Sequence, residues 1–201
     1  MGGGGYDGGA FLSGVLGRNK TMSDLSMMAR IAGGVIVAVN LVCVVAPAQM
    51  REALRQFPRS RLPAWVLLAF DVTWVTWVML HAPLGRFEPV KPWLYAAAPA
   101  AFLLMAVFMD ELLAPRALGG LLLLVANPVL AAARWHESNW RLVMTVVAYI
   151  WVVAGISLVL SPFRFRQLVE FGAKTNERCR MGGLVRLAFG IFVLVLAFKV
   201  Y

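Results

Sequence analysis

The chain has 201 residues, 61% hydrophobic and 14% charged, with a net charge of +9 and a mean hydropathy of +0.76. A soluble domain is about half apolar and about a quarter charged, so this balance excludes both a soluble globular domain and a disordered chain. Most of the 19 Lys and Arg residues fall between apolar runs. That is where loops flanking membrane spans carry them, which argues against nucleic acid as a partner.

In chain order, Met1–Ala10 is Gly-rich and reads as flexible. It has neither the basic start nor the cleavage site of a secretory signal. Phe11–Leu16 is too short to cross a bilayer. Thr21, Ser23 and Asp24 are helix N-cap residues ahead of an apolar stretch, which places the start of the first spanning helix near Ser23. Residues 1–22 are therefore read as a flexible tail, and residues 23–201 as one transmembrane domain.

The first span covers about 23–46 and is broken by Pro47. In Pro47–Phe57, Met50, Ala53, Leu54 and Phe57 share one helical face while Arg51 and Arg55 fall on the other. This is the pattern of a helix lying in the headgroup plane, and Pro58 ends it. The second span, about 62–80, carries Asp71 among Trp65, Trp74 and Trp77. A loop with Pro83, Gly85 and Pro89 leads to a third span at about 92–109. Asp110, Glu111, Pro115 and Arg116 mark a turn before the fourth span, about 117–133, where Asn127-Pro128 predicts a kink. The polar loop Arg134–Arg141 precedes the fifth span at about 142–160. The Arg-rich stretch Phe163–Arg180 then leads to the sixth, about 181–200.

The expected fold is an all-α polytopic integral membrane helix bundle of about six transmembrane helices, or five if the third and fourth are misread. The spans form three hairpins, and the turns Val45-Ala46-Pro47, Leu113-Ala114-Pro115 and Ser161-Pro162 lie on one side. Pro47 with Arg51 and Pro162 with Arg166 share the spacing Pro-x-x-x-Arg. This suggests a parallel internal repeat, against the plainer reading that proline often ends helices at an interface. The side that holds both termini, side A, has eight basic residues, and the opposite side B has eleven. Dense arginines in short loops place side B in the cytoplasm or mitochondrial matrix, and the chain in a bacterial or mitochondrial inner membrane.

Polar residues inside spans are costly and tend to face a bundle interior. Asp71 lies 24 residues after Pro47, and Arg186 lies 24 after Pro162. With Asn40 they could form one buried cluster on the side B half. Such a cluster would act as a proton, ion or anion site, or as a structural ion pair; Arg186 could also snorkel to headgroups. Arg51, Arg55, Arg59, Arg164 and Arg166 are candidate contacts for anionic lipid headgroups. His81 and His136 both fall on side A, beyond the positions that hold a haem between helices. Cys43 and Cys179 suggest no pairing, and no metal-ligand spacing occurs. Glycines at 33, 34, 119, 120, 155, 182, 183 and 190 suit close helix packing in lipid.

No hydrolase elbow, zinc-protease, phosphate-loop or dinucleotide motif is present in the sequence, and no cofactor is expected. The leading expectation is a non-catalytic accessory or assembly subunit of a larger membrane complex, with other membrane subunits or further copies of itself as partners. The alternative is a small oligomeric transporter or channel working through Asn40, Asp71 and Arg186. A lipid-directed enzyme at side B ranks third, for want of a nucleophile.

Overall fold

The protein is described by a computed structural model covering residues 8–82, 88–89, 91–108, 113–134, 138–172 and 174–201, with side chains from Leu25 onward except those of Arg59 and Arg164. The described residues form helices without strands. These are α1 (Gly8–Val45), α2 (Pro47–Gln56), α3 (Arg61–His81), α4 (Lys91–Phe108), α5 (Leu113–Arg134), α6 (Arg141–Leu160), α7 (Phe163–Gly172) and α8 (Asn176–Lys199). A short 3-10 turn, Phe57–Arg59, joins α2 to α3. Six of these helices are long and apolar enough to cross a membrane: α1 from Leu25 onward, α3, α4, α5, α6 and α8. The chain is an all-helical, multi-pass membrane bundle.

The first helix differs from its expected start near Ser23. At 38 residues it is about 57 Å long at 1.5 Å per residue, well beyond a hydrocarbon core of about 30 Å. Good capping residues mark a possible helix start, but extending an existing helix needs no new nucleus. The turns before Ser23 contain no proline to stop it. Residues 1–7 lie outside the described residues. The last span also begins earlier than expected, at Asn176, because Thr175 caps it: its side-chain oxygen accepts from the Arg178 backbone N–H at 3.2 Å.

Two short helices form at the Pro-x-x-x-Arg segments. Both α2 and α7 have ten residues, and Phe57 and Phe165 meet with ring centroids 5.6 Å apart. Each spaces out the spans it joins by about 15 Å. The hairpins expected at the side B turns connect α1 to α3, α4 to α5 and α6 to α8, yet none of these is a closely packed pair. The closest pairs are instead α1 with α8 and α5 with α6, followed by α3 with α5 and with α4. A two-fold repeat of the first and third hairpins would set α3 against α6 just as α1 is set against α8. Here α5 takes that place, packing on both α3 and α6.

Glycine makes the close pairs possible. A Cβ on Gly119 would stand 2.8 Å from the Gly155 carbonyl oxygen, and one on Gly155 would stand 2.8 Å from that of Gly119. Antiparallel α1 and α8 meet at Gly33 with Leu194, at Gly190 with Ile36 and Val37, and at Gly183 with Cys43. In lipid, where burying apolar surface gives no drive between helices, such backbone approach is what packing depends on. One core joins α1, α5, α6 and α8 through Leu25, Ala29, Val129, Met144, Ala148 and Val193. A second joins α3, α4 and the start of α5 through Ala64, Leu68, Ala106, Leu113 and Ala117. The molecule thus has a four-helix body and a two-helix arm, α3–α4, with α5 belonging to both.

Candidate functional site

Asp71 marks the root of the arm. The buried residues of α3 are Ala64, Leu68 and Asp71, spaced i, i+4 and i+7 along one stripe. All lie in the side B part of the helix up to its middle. Asp71 is ten residues from Arg61 and ten from His81, hence about 15 Å from either end. Its carboxyl sits against bare backbone: a Cβ on Gly120 of α5 would be 2.9 Å from Asp71 Oδ2. The residue is 7% exposed, and among the described residues Oδ1 has no hydrogen-bond partner.

The expected cluster of Asn40, Asp71 and Arg186 is not assembled. Asn40 is buried on α1, which packs on α8 rather than on α3. Its Nδ2 donates to the Ile36 carbonyl at 2.7 Å, so its polar group is satisfied within its own helix. Arg186 is exposed on α8 and lies close enough to Cys43 to act on it electrostatically. Matching distances from two prolines do not bring residues together when the two halves are not packed as a repeat. Among the described residues, neither a structural ion pair nor a hydrogen bond accounts for Asp71.

The side B arginines divide. Arg51 donates through Nη2 to the Lys174 carbonyl at 3.0 Å and through Nη1 to Asn176 Oδ1, so it ties α2 to the start of α8 rather than standing free for headgroups. Arg55 is exposed and, with Gln167, Glu170, Phe171 and Lys174, lines an open basin of about 520 Å³ between α2 and α7. Arg166 is exposed. The side chains of Arg59 and Arg164 lie outside the described residues, as does His136. His81 accounts for its own polar group: Nδ1 lies 2.8 Å from the Trp77 carbonyl, and its ring lies 4.2 Å from that of Trp77. Among the described residues no group of three His, Cys, Asp or Glu side chains could hold a metal.

Three features went unread in the sequence. An apolar groove of about 460 Å³ opens between α3 and α4, lined by Val72, Thr73, Thr76, Trp77, Pro99 and Phe102. Both threonine hydroxyls donate back to carbonyls one turn earlier, at 2.7 Å, which leaves the groove apolar. A second opening of about 380 Å³ at side A is lined by Asn127, Arg134, Thr145 and Tyr149 of α5 and α6. The third feature is the approach of Cys43 to Cys179: both are buried, and Cys43 packs against α8 at Gly183, one turn after Cys179. Gly183 and Gly190 mark the face of α8 that meets α1, and stepping one turn back along that face reaches Cys179. That was the available signal.

Compared with known proteins, the chain matches no family model, no curated protein and no solved structure. The fold and geometry therefore define it as a helical multi-pass membrane protein, and its function has to be argued from the site.

Proposed function

We propose that the protein is a small ion-coupled membrane transport protein in which Asp71 takes up and releases a proton or a small cation. One observation carries this reading: a carboxyl buried about halfway along a spanning helix, against backbone, with no partner among the described residues. An ionised side chain at the bilayer centre costs about 2.5–3.5 kcal/mol even on the mildest scale. Such a group is retained only with something to neutralise it. Asp71 is enclosed by its own chain, so a proton or a small ion fits where a partner's side chain would not. Gly120 lets the carboxyl lie directly against bare backbone.

The test is flux in proteoliposomes under an imposed pH or sodium gradient. The wild-type chain should dissipate the gradient, and Asp71→Asn, which keeps the volume and removes the charge, should abolish that activity in a protein that still purifies as a folded species. Wild-type vesicles as tight as empty ones under both gradients would end this reading.

Membership of a larger membrane assembly is a second reading, favoured by the arm. Ala106 is the one buried residue of α4, and exposed Tyr95, Leu103, Leu104 and Val107 offer that helix to lipid or to another subunit. Native mass spectrometry in mild detergent separates the two: stoichiometric companions support an assembly, and the chain alone or as a homo-oligomer counts against it. Exposed Arg55 and Arg166 support contact with anionic headgroups. With them goes a placement of side B toward the cytoplasm or mitochondrial matrix.

A further inference from the structure

The two cysteines stand 136 positions apart, from 43 to 179, on the first and last spanning helices. The fold sets them side by side. Cys43 is 5% exposed and Cys179 7% exposed. Both are free thiols, carried on the faces by which α1 and α8 meet. The backbones approach closely here, since a Cβ on Gly183, one turn after Cys179, would be 2.8 Å from Cys43 Cβ. Cys43 lies two residues before the end of α1 and Cys179 three after the start of α8, so the pair sits at the side B rim of the body. Asn40, one turn deeper on α1, bonds within its own helix and does not compete for either sulfur. Neither thiol takes part in the Asp71 site.

We propose that Cys43 and Cys179 are a reversible dithiol–disulfide site, oxidised by exchange with a disulfide presented at side B. One cysteine, as the thiolate, attacks a sulfur of the incoming disulfide and expels one thiol. The second cysteine then attacks the mixed disulfide and expels the other. The protein gives up two protons and two electrons in all. The incoming disulfide takes them up and leaves as two thiols. The product links α1 to α8, the pair on which the body closes, so oxidation fastens the first span to the last.

The experiment uses the full chain in membranes with oxidised glutathione as the probe. After quenching with N-ethylmaleimide, non-reducing gels and peptide mass spectrometry read the products. The expected result is a monomeric species carrying a Cys43–Cys179 cross-linked peptide. It should be reversed by dithiothreitol and lost in both Cys43→Ser and Cys179→Ala. The wild-type measurement decides the matter even if a variant folds poorly. Finding only glutathione adducts, only intermolecular dimers, or two thiols that stay unlinked would overturn the site.

Discussion

In the four-helix body, glycine sets the distances between helices, and the buried space between them is filled mostly by apolar side chains, with Asn40 satisfied within its own helix. In the α3–α4 arm the contact with α5 is made by Ala64, Leu68 and then Asp71, after which no residue of α3 is buried. Body and arm are both built of apolar helices, yet one is closed along its length and the other is held at its side B end. The body therefore reads as the rigid part of the molecule and the arm as the part free to move. The one uncompensated charge-bearing group of α3 stands where the two meet. Structural elements that move are drawn from the less densely packed parts of a protein.

The largest effect should come from breaking the body. Gly155→Leu places a side chain into the Gly119 carbonyl and Leu123. Backbone cannot give way as a side-chain tip can, so overpacking should cost about 3 kcal/mol or more and the folded, monodisperse fraction in size-exclusion chromatography should collapse. Gly34→Leu and Gly182→Leu make the matched controls, because a Cβ at either position meets nothing within 4 Å. Equal damage from all three would mean that glycine spacing is not what holds the body.

Next is the arm's root, where the expected sign reverses. Asp71→Leu removes a buried polar atom without a partner, and should raise thermal stability by about 1–3 kcal/mol while abolishing any flux. A clear loss of stability would show that Asp71 bonds the arm to the body. Gly120→Ala should act more gently. Its new methyl would be 2.9 Å from Asp71 Oδ2, the far end of a side chain that can turn aside, so the stability change should stay within about 1 kcal/mol. Gradient dissipation should fall only part of the way toward the Asp71→Asn level. Full activity in Gly120→Ala would detach the carboxyl's position from function.

These contrasts also show how much the sequence could tell. Span number and the short helix α2 were legible, because apolar length and the faces set by Met50, Leu54, Arg51 and Arg55 are local properties, whereas α7 was read only as an Arg-rich stretch. Helix partners were not, since α1 meets α8 across almost the whole chain and nothing in a single sequence orders the spans around a bundle. That is why equal offsets from Pro47 and Pro162 suggested a cluster of Asp71 with Arg186 that the packing does not form. It is also why the Gly183–Gly190 face, which carries Cys179 one turn back, could not be matched to Cys43. The glycine doublets were half legible. Residues 33 and 183 face a neighbouring helix while 34 and 182 face open space, a distinction that needs the neighbour to be known.

The smallest expected effect is at the side A end, where body and arm again differ. The body is tied there by its last residue: Tyr201 Oη donates to the Trp140 carbonyl at 2.6 Å, joining the end of α8 to the loop before α6, and the ring packs against the body core. At the same end of α3, His81 contacts its own helix at Trp77. Burial pushes the Tyr201 phenol up to about 12, against about 10 in an unfolded chain. The folded state therefore prefers the neutral phenol. Its contribution is complete below about pH 10 and disappears as pH rises through about 12. Tyr201→Phe should cost about 1 kcal/mol at neutral pH, or a melting shift of about 2–4 °C. The difference from wild type should shrink as alkali ionises the native phenol. A constant difference between pH 8 and 12 would mean that the ring's packing, rather than its hydroxyl, holds the C-terminus in place. In that case the body would be closed at side A, as it is at its glycine contacts, by shape alone.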